Sequence, residues 1–266
     1  MKIAISGKGG VGKSTVAGTL ARLHAEDGRR VLAVDADPDA NLAFAIGVPS
    51  SLHSRIRTIS TERKLIEERT GAKVRQFGQM FKLNPEVSDI AEKYAVHYKG
   101  VDLLVLGAVE HAAGGCACPE SILLKSLVSH LVLHRGDVVI LDMEAGIEHL
   151  GRGTAMGVDL MMAVVEPGRR SVETAQRVRR MSADLGIGRF GVVLNKTADP
   201  EEDSRWIASE FGLERLIGAI PLDARIARAD RQGVALADLG FSELLDPFRS
   251  LQKTLQSFCA GKESVL

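Results

Sequence analysis

The chain alternates short apolar runs with longer segments of helical spacing. Lys2–Ser6 is apolar and suits a strand, and Gly7–Ser14 is a glycine-rich loop. Thr15–Glu26 carries Val16, Leu20 and Leu23 at helical spacing, and Gly28 closes that segment. A second apolar run follows at 31–34, and others lie at 101–106, 138–141, 160–165, 191–194 and 216–220. These runs show little polar alternation, as expected of parallel strands buried on both faces. Helical patterns at 120–133 and 172–185 lie between them. The alternation over the whole length predicts one α/β domain over residues 1–266, a doubly wound, mostly parallel sheet flanked by helices. The polar, charged stretch 50–98 reads as an excursion on that sheet. Near the end, Leu244, Leu245, Phe248, Leu251, Leu255 and Phe258 form an apolar stripe. Its polar face has only Arg249 and Lys253, so it predicts a helix packed on the core, not a basic membrane-surface helix.

Composition narrows the function. Among 266 residues, 34 Lys and Arg balance 34 Asp and Glu, which speaks against a strongly cationic nucleic-acid binder. Aromatic residues are only 4%, too few for a base-stacking platform. No apolar run approaches the roughly 18 residues that span a bilayer. Lys8 and Lys13 interrupt the first apolar stretch before a signal sequence could form, so a cytoplasmic location is expected. Three cysteines exclude a fully paired disulfide framework. Cys116 and Cys118 stand one residue apart, a spacing that in a reducing compartment suggests metal or redox chemistry.

The loop Gly7-Lys8-Gly9-Gly10-Val11-Gly12-Lys13-Ser14-Thr15 fits G-x-x-x-x-G-K-[ST] between a strand and a helix. Glycines let successive backbone N–H groups point at phosphate oxygens, and the following helix adds its positive end. Lys13 is expected to reach the β- and γ-phosphates of a nucleotide, and the Ser14 hydroxyl to ligate Mg²⁺. Lys8 repels Lys13 unless an anion lies nearby. It is expected to act on a partner's phosphates across a dimer interface, as an arginine finger does. Asp35, Asp37 and Asp39 follow the second apolar run, where α/β sheets place ligands. Asp142 ends the run 138–141 and is placed to serve Mg²⁺ through water. Met143-Glu144-Ala145-Gly146 follows as a candidate second switch. Asn195-Lys196-Thr197-Ala198-Asp199 nearly reads as the guanine motif N-K-x-D, but its carboxylate is one residue late, which favours adenine.

This loop resembles the deviant Walker motif of the MinD, ParA and nitrogenase-iron-protein class of dimeric ATPases. The resemblance implies a P-loop fold, ATP and Mg²⁺ as ligands, and candidate catalytic residues Lys8, Lys13 and Asp37. Asp37 matches the second Asp of D-x-D-P and would orient the attacking water, with Asp35 holding the loop or the Mg²⁺ hydration shell. Asn195 would contact adenine beside the turn Pro221-Leu222-Asp223. A helix N-cap is an equal reading of Asp223.

In Gly114-Gly115-Cys116-Ala117-Cys118-Pro119-Glu120, Pro119 suits a first helical position, so Cys118 would sit at the N-cap with a depressed thiol pKa. Two thiolates do not complete a tetrahedral site, but a symmetric dimer supplies four. Soft sulfur suits Zn²⁺, Ni²⁺, Cu⁺ or an iron–sulfur cluster. His111 and His149 are possible auxiliary ligands, and Cys259 is expected to be inert. Together with the run 142–153, this stretch resembles the nickel-insertion ATPases that mature carbon monoxide dehydrogenase. That resemblance implies a nucleotide- and metal-dependent homodimer, one Ni²⁺ or Zn²⁺ held by Cys116 and Cys118 of both subunits, and the dehydrogenase as client. Neither nucleic acid nor membrane is an expected partner. The rival readings are a partitioning or positioning switch ATPase and an iron–sulfur scaffold.

Overall fold

The computed structural model describes residues 1–74, 76, 79–107, 119–134, 138–144 and 157–259. In chain order the elements are β1 (Lys2–Ser6), α1 (Lys13–Glu26), β2 (Val31–Ala36), α2 (Leu42–Ile46), α3 (Ser50–His53), α4 (Arg63–Thr70), α5 (Ile90–Tyr94), β3 (Val96–Tyr98) and β4 (Val101–Val105). They continue as α6 (Pro119–His134), β5 (Val138–Met143), β6 (Leu160–Val165), α7 (Arg169–Asp184), β7 (Phe190–Thr197), α8 (Pro200–Phe211), β8 (Leu216–Pro221), α9 (Ala224–Gln232) and α10 (Ser242–Cys259).

The described strands form an eight-stranded sheet in the order β3-β4-β2-β5-β1-β6-β7-β8. All neighbours are parallel except β3 and β4. Side chains alternate between its faces. Ile3, Ile5 and Ala33 pack with Leu20 and Leu23 of α1, Leu42 and Ile46 of α2, and Phe248 and Leu251 of α10. Ala4, Leu32, Val34 and Leu104 face Leu123 and Leu127 of α6 and Ile66 of α4. Over β6 and β7, Val172 and Ala175 of α7 meet Ile207 and Phe211 of α8. Both faces are therefore covered, which is why the strands read as continuous apolar runs. The C-terminal stripe lies on the core as expected, with Phe248 and Leu251 each 1% exposed.

Two differences from the sequence reading matter. Asp35 and Asp142, read as ending their apolar runs, lie within β2 and β5, each of which continues one residue further, and the two are directly paired in the ladder. The ladder continues past the last apolar residue because backbone pairing, not side-chain type, ends a strand. The stretch 50–98 also holds an edge strand, β3. It is only three residues long and owes its pairing to the two-residue turn Lys99-Gly100, whose φ values of 45° and 79° match a type I′ hairpin.

Candidate nucleotide site

The site lies at the carboxyl ends of β1, β2 and β5, next to the start of α1. After β1 the chain turns through Gly7, whose φ is 154°, and Gly12, whose φ is 93°, before α1 begins at Lys13. These glycines are also required by space. A Cβ at Gly7 would lie 2.4 Å from the Val164 carbonyl oxygen, and one at Gly12 would lie 2.4 Å from the Asn195 amide nitrogen. Gly9 and Gly10 face open space. No side chain caps α1, so its first N–H groups and its positive end are left for an anion.

The charged groups converge here. Lys13 is 7% exposed, and its ammonium lies 3.6 Å from a carboxylate oxygen of Asp37. Asp35 is fully buried and accepts from the backbone N–H of Asp37 at 3.1 Å and of Leu42 at 2.9 Å. Its carboxylate thus shapes the loop that carries Asp37. Burial pushes the Asp35 carboxyl up to about 6, against the pull of those two amides. Asp142 is fully buried, and neither of its oxygens has a hydrogen-bond partner of good geometry among the described residues. Burial pushes its carboxyl up to about 7, and Asp35 and Asp37 add to that. The Ser14 hydroxyl and the Lys13 ammonium pull the other way. A buried carboxylate so weakly satisfied is costly to keep ionised and is eased by a cation. Among the described residues no three His, Cys, Asp or Glu side chains form a metal-binding group. A divalent ion beside Ser14 and Asp142 would therefore take its remaining oxygens from water and phosphate, which is the habit of Mg²⁺.

Asn195 lies inside β7, not in a loop, and its amide donates to the Val11 carbonyl at 2.7 Å. The next residue, Lys196, donates to the Gly10 carbonyl at 2.5 Å, a contact the sequence reading missed. The N-K-x-D-like run marks this segment, but side-chain pattern does not mark its lysine as a phosphate-loop contact. Asp199 caps α8, one of its carboxylate oxygens accepting from Glu202 N–H at 3.0 Å. The Leu222 N–H donates to the Thr197 carbonyl at 2.8 Å, which ties the Pro221-Leu222-Asp223 turn to β7. Asp223 resolves as a cap: it accepts from Arg225 N–H at 2.8 Å and pairs with the Arg225 guanidinium at 2.8 Å. Lys8 is half-buried, and its side chain forms no hydrogen bond or ion pair among the described residues. Cys259 is half-buried, and burial pushes its thiol up to about 11, so it is a poor nucleophile. Cys116, Cys118, His111, His149 and Gly146 lie outside the described residues. No helix among the described residues is long and apolar enough to cross a membrane.

A phosphate-loop strand and helix, with paired strand-end carboxylates, is a nucleotide-binding arrangement. Residues 2–236 match the CobQ/CobB/MinD/ParA nucleotide binding domain. The chain belongs to this family. It is an ATPase of the MinD and ParA class. The chain is 48% identical over 239 residues, 90% of each chain, to the carbon monoxide dehydrogenase accessory protein CooC of Rhodospirillum rubrum. It is 45% identical over 88% of its length, and 90% of the relative, to an uncharacterized ATP-binding protein of Methanocaldococcus jannaschii. The fold superposes on MinD in the MinC:MinD cell division complex of Aquifex aeolicus with a TM-score of 0.68 at 21% identity, covering 97% of this chain and 96% of that one.

Proposed function

We propose that this chain is an ATP-dependent metallochaperone that assists nickel insertion into carbon monoxide dehydrogenase. The observation that carries this is the 48% identity to the dehydrogenase accessory protein over nine-tenths of both chains. Cys116-x-Cys118 adds a soft donor pair to it. The cargo would be one Ni²⁺, or Zn²⁺, held by Cys116 and Cys118 of two subunits.

ATP would lie along Gly9, Gly10, Val11 and Gly12, with its phosphates at the N-terminus of α1 against Lys13, Ser14 and Thr15. The Lys13–Asp37 contact opens as Lys13 turns to the phosphates, which frees Asp37 to hold the attacking water. Ser14 and Asp142 would hold Mg²⁺, which supplies neutralisation of the phosphate charge. The buried pairing of Asp35 with Asp142 keeps both carboxylates fixed at the strand ends. Asn195 and the Pro221-Leu222-Asp223 turn would border the adenine. Asp199, one residue late for N-K-x-D and with one carboxylate oxygen engaged in capping α8, supports adenine over guanine. The cargo loop and the phosphate site are coupled through the chain: Cys118 precedes α6, and α6 leads into β5, which carries Asp142. Movement of Asp142 and its switch onto the γ-phosphate would then set the geometry of the thiolates in a closed homodimer, and hydrolysis would release the metal.

The test is metal content and oligomeric state of the full chain, purified without oxygen, with and without ATP and nickel. About one metal ion per dimer is expected, lost in Cys116→Ala and Cys118→Ala while the ATPase fold survives. A nucleotide-dependent dimer with no metal would overturn the metallochaperone reading in favour of a positioning switch. A brown protein with iron and sulfide would favour a cluster scaffold.

A further inference from the structure

Strands β7 and β8 run in register from Val193 opposite Gly218 to Asn195 opposite Ile220, and then the register slips, so that Thr197 faces Pro221. The extra residue is Lys196, with φ of 58°. A left-handed conformation costs free energy for any residue but glycine and persists where the side chain is needed at a particular place. A bulge of this kind re-aims one side chain out of the strand's alternation. Here it sends the ammonium to the Gly10 carbonyl, and the Glu166 carboxylate, just past β6, lies 3.7 Å from the same nitrogen. The preceding Asn195 holds the next carbonyl, that of Val11, at 2.7 Å.

Two neighbouring residues of β7 thus tie down two neighbouring carbonyls of the phosphate loop. In a trans peptide the carbonyl of one residue and the N–H of the next point opposite ways. Fixing the Gly10 and Val11 oxygens fixes the planes that carry the N–H groups of Val11 and Gly12. We propose that Lys196 is a positioning residue of the ATPase: it holds the phosphate loop in its anion-binding shape through the Gly10 carbonyl, with Glu166 keeping the ammonium in place. This rests on the reading that the loop binds ATP phosphates. Glu166 offsets the lysine's charge, so the role is geometric, not a long-range pull on ATP.

The test uses the full chain with Lys196→Gly, Lys196→Ala, Glu166→Gln and the double variant Glu166→Gln/Lys196→Ala. Lys196→Gly removes the side chain while relieving the backbone, so its Tm stays at or above that of the parent. Its ATP Kd and KM nevertheless rise about tenfold, the loss expected for one hydrogen bond from a charged donor, with kcat changed less than about twofold. Lys196→Ala weakens ATP equally but melts lower than Lys196→Gly. Glu166→Gln weakens ATP less, and the double variant is no worse than Lys196→Ala, because Glu166 acts only through the lysine. The weakening persists at high salt. Parent-like ATP affinity in Lys196→Gly, an additive double variant, or a difference that salt abolishes would each overturn the inference. Lys13→Ala separates the two readings: if it leaves ATP affinity intact, the phosphate-loop assignment fails. If it abolishes binding while Lys196→Gly does not weaken it, only this inference fails.

Discussion

At the scale of single residues, the same physics acts at two buried sites with opposite results. Asp142 is a fully buried carboxyl whose oxygens lack a hydrogen-bond partner of good geometry among the described residues, with the Ser14 hydroxyl and the Lys13 ammonium only partly offsetting its burial, which fits a site completed by a ligand. His24, on α1, is 1% exposed and has no ligand role to explain it. Its Nδ1 meets the Gln252 amide of α10 at 3.2 Å, and that amide also donates to Asp27 at 3.0 Å. The amide's donation to Nδ1 leaves the ring proton on Nε2, for which no partner is found among the described residues. Burial pulls the imidazole down to about 4, with Asp27 opposing. Between pH 4 and 6.5 the unfolded chain therefore binds more protons here than the folded one, and stability rises with pH. The contribution is complete above about pH 6.5 and is lost as pH falls toward 4, on the order of 3 kcal/mol in total. Asp35 and Asp142, whose carboxyls are raised on folding, contribute with the opposite sign over the same range, so the test is the difference: in denaturant titrations from pH 4 to 7.5 the stability of the parent relative to His24→Gln should rise with pH. A difference independent of pH would mean that His24 is not the group responsible.

At the scale of elements, α10 separates a core helix from a membrane helix. Its stripe of Leu244, Leu245, Phe248, Leu251 and Leu255 is buried against β8 and α1. Phe248→Ala should cost about 4 kcal/mol, a large-to-small loss in a packed core, read by chemical denaturation. Were α10 a membrane anchor, the variant would instead lose vesicle binding at unchanged stability. This helix was legible in the sequence because its period and its few basic residues agreed. The phosphate loop and the central strands were legible for the same reason, since local pattern and global placement coincide there. The edge strand β3 was not, because three residues carry no period and the turn that pairs them is set by backbone angles. The Lys196 contact was hidden too: a one-residue register slip has no signature in side-chain pattern, yet it decides where the ammonium goes. Asp35 and Asp142 were legible as strand-end carboxylates, but the strands run two residues further than their apolar runs, since an acidic side chain inside a buried strand contradicts the apolar pattern used to find the strand.

At the scale of the whole molecule, Lys8 is what one chain leaves unexplained. It stands in the same loop as Lys13, half-buried, with no side-chain partner among the described residues, while Lys13 and Asp37 pair with each other. Two ammonium groups in one phosphate loop repel unless negative charge is shared between them. A second subunit resolves this: facing loops would let each Lys8 meet the other subunit's γ-phosphate as its charge develops. A pair of inactive variants tests it. Lys8→Ala keeps its own phosphate site but offers its partner no lysine. Lys13→Ala cannot serve its own nucleotide but still offers Lys8. Each alone should hydrolyse almost no ATP, with nucleotide binding retained only in Lys8→Ala. In an equal mixture about half of the dimers are mixed, and each mixed dimer has one working site of two, so hydrolysis should return to about a quarter of the parent rate. If Lys8 acts on its own subunit's nucleotide, no mixed dimer has a complete site, and the mixture stays as inactive as its components.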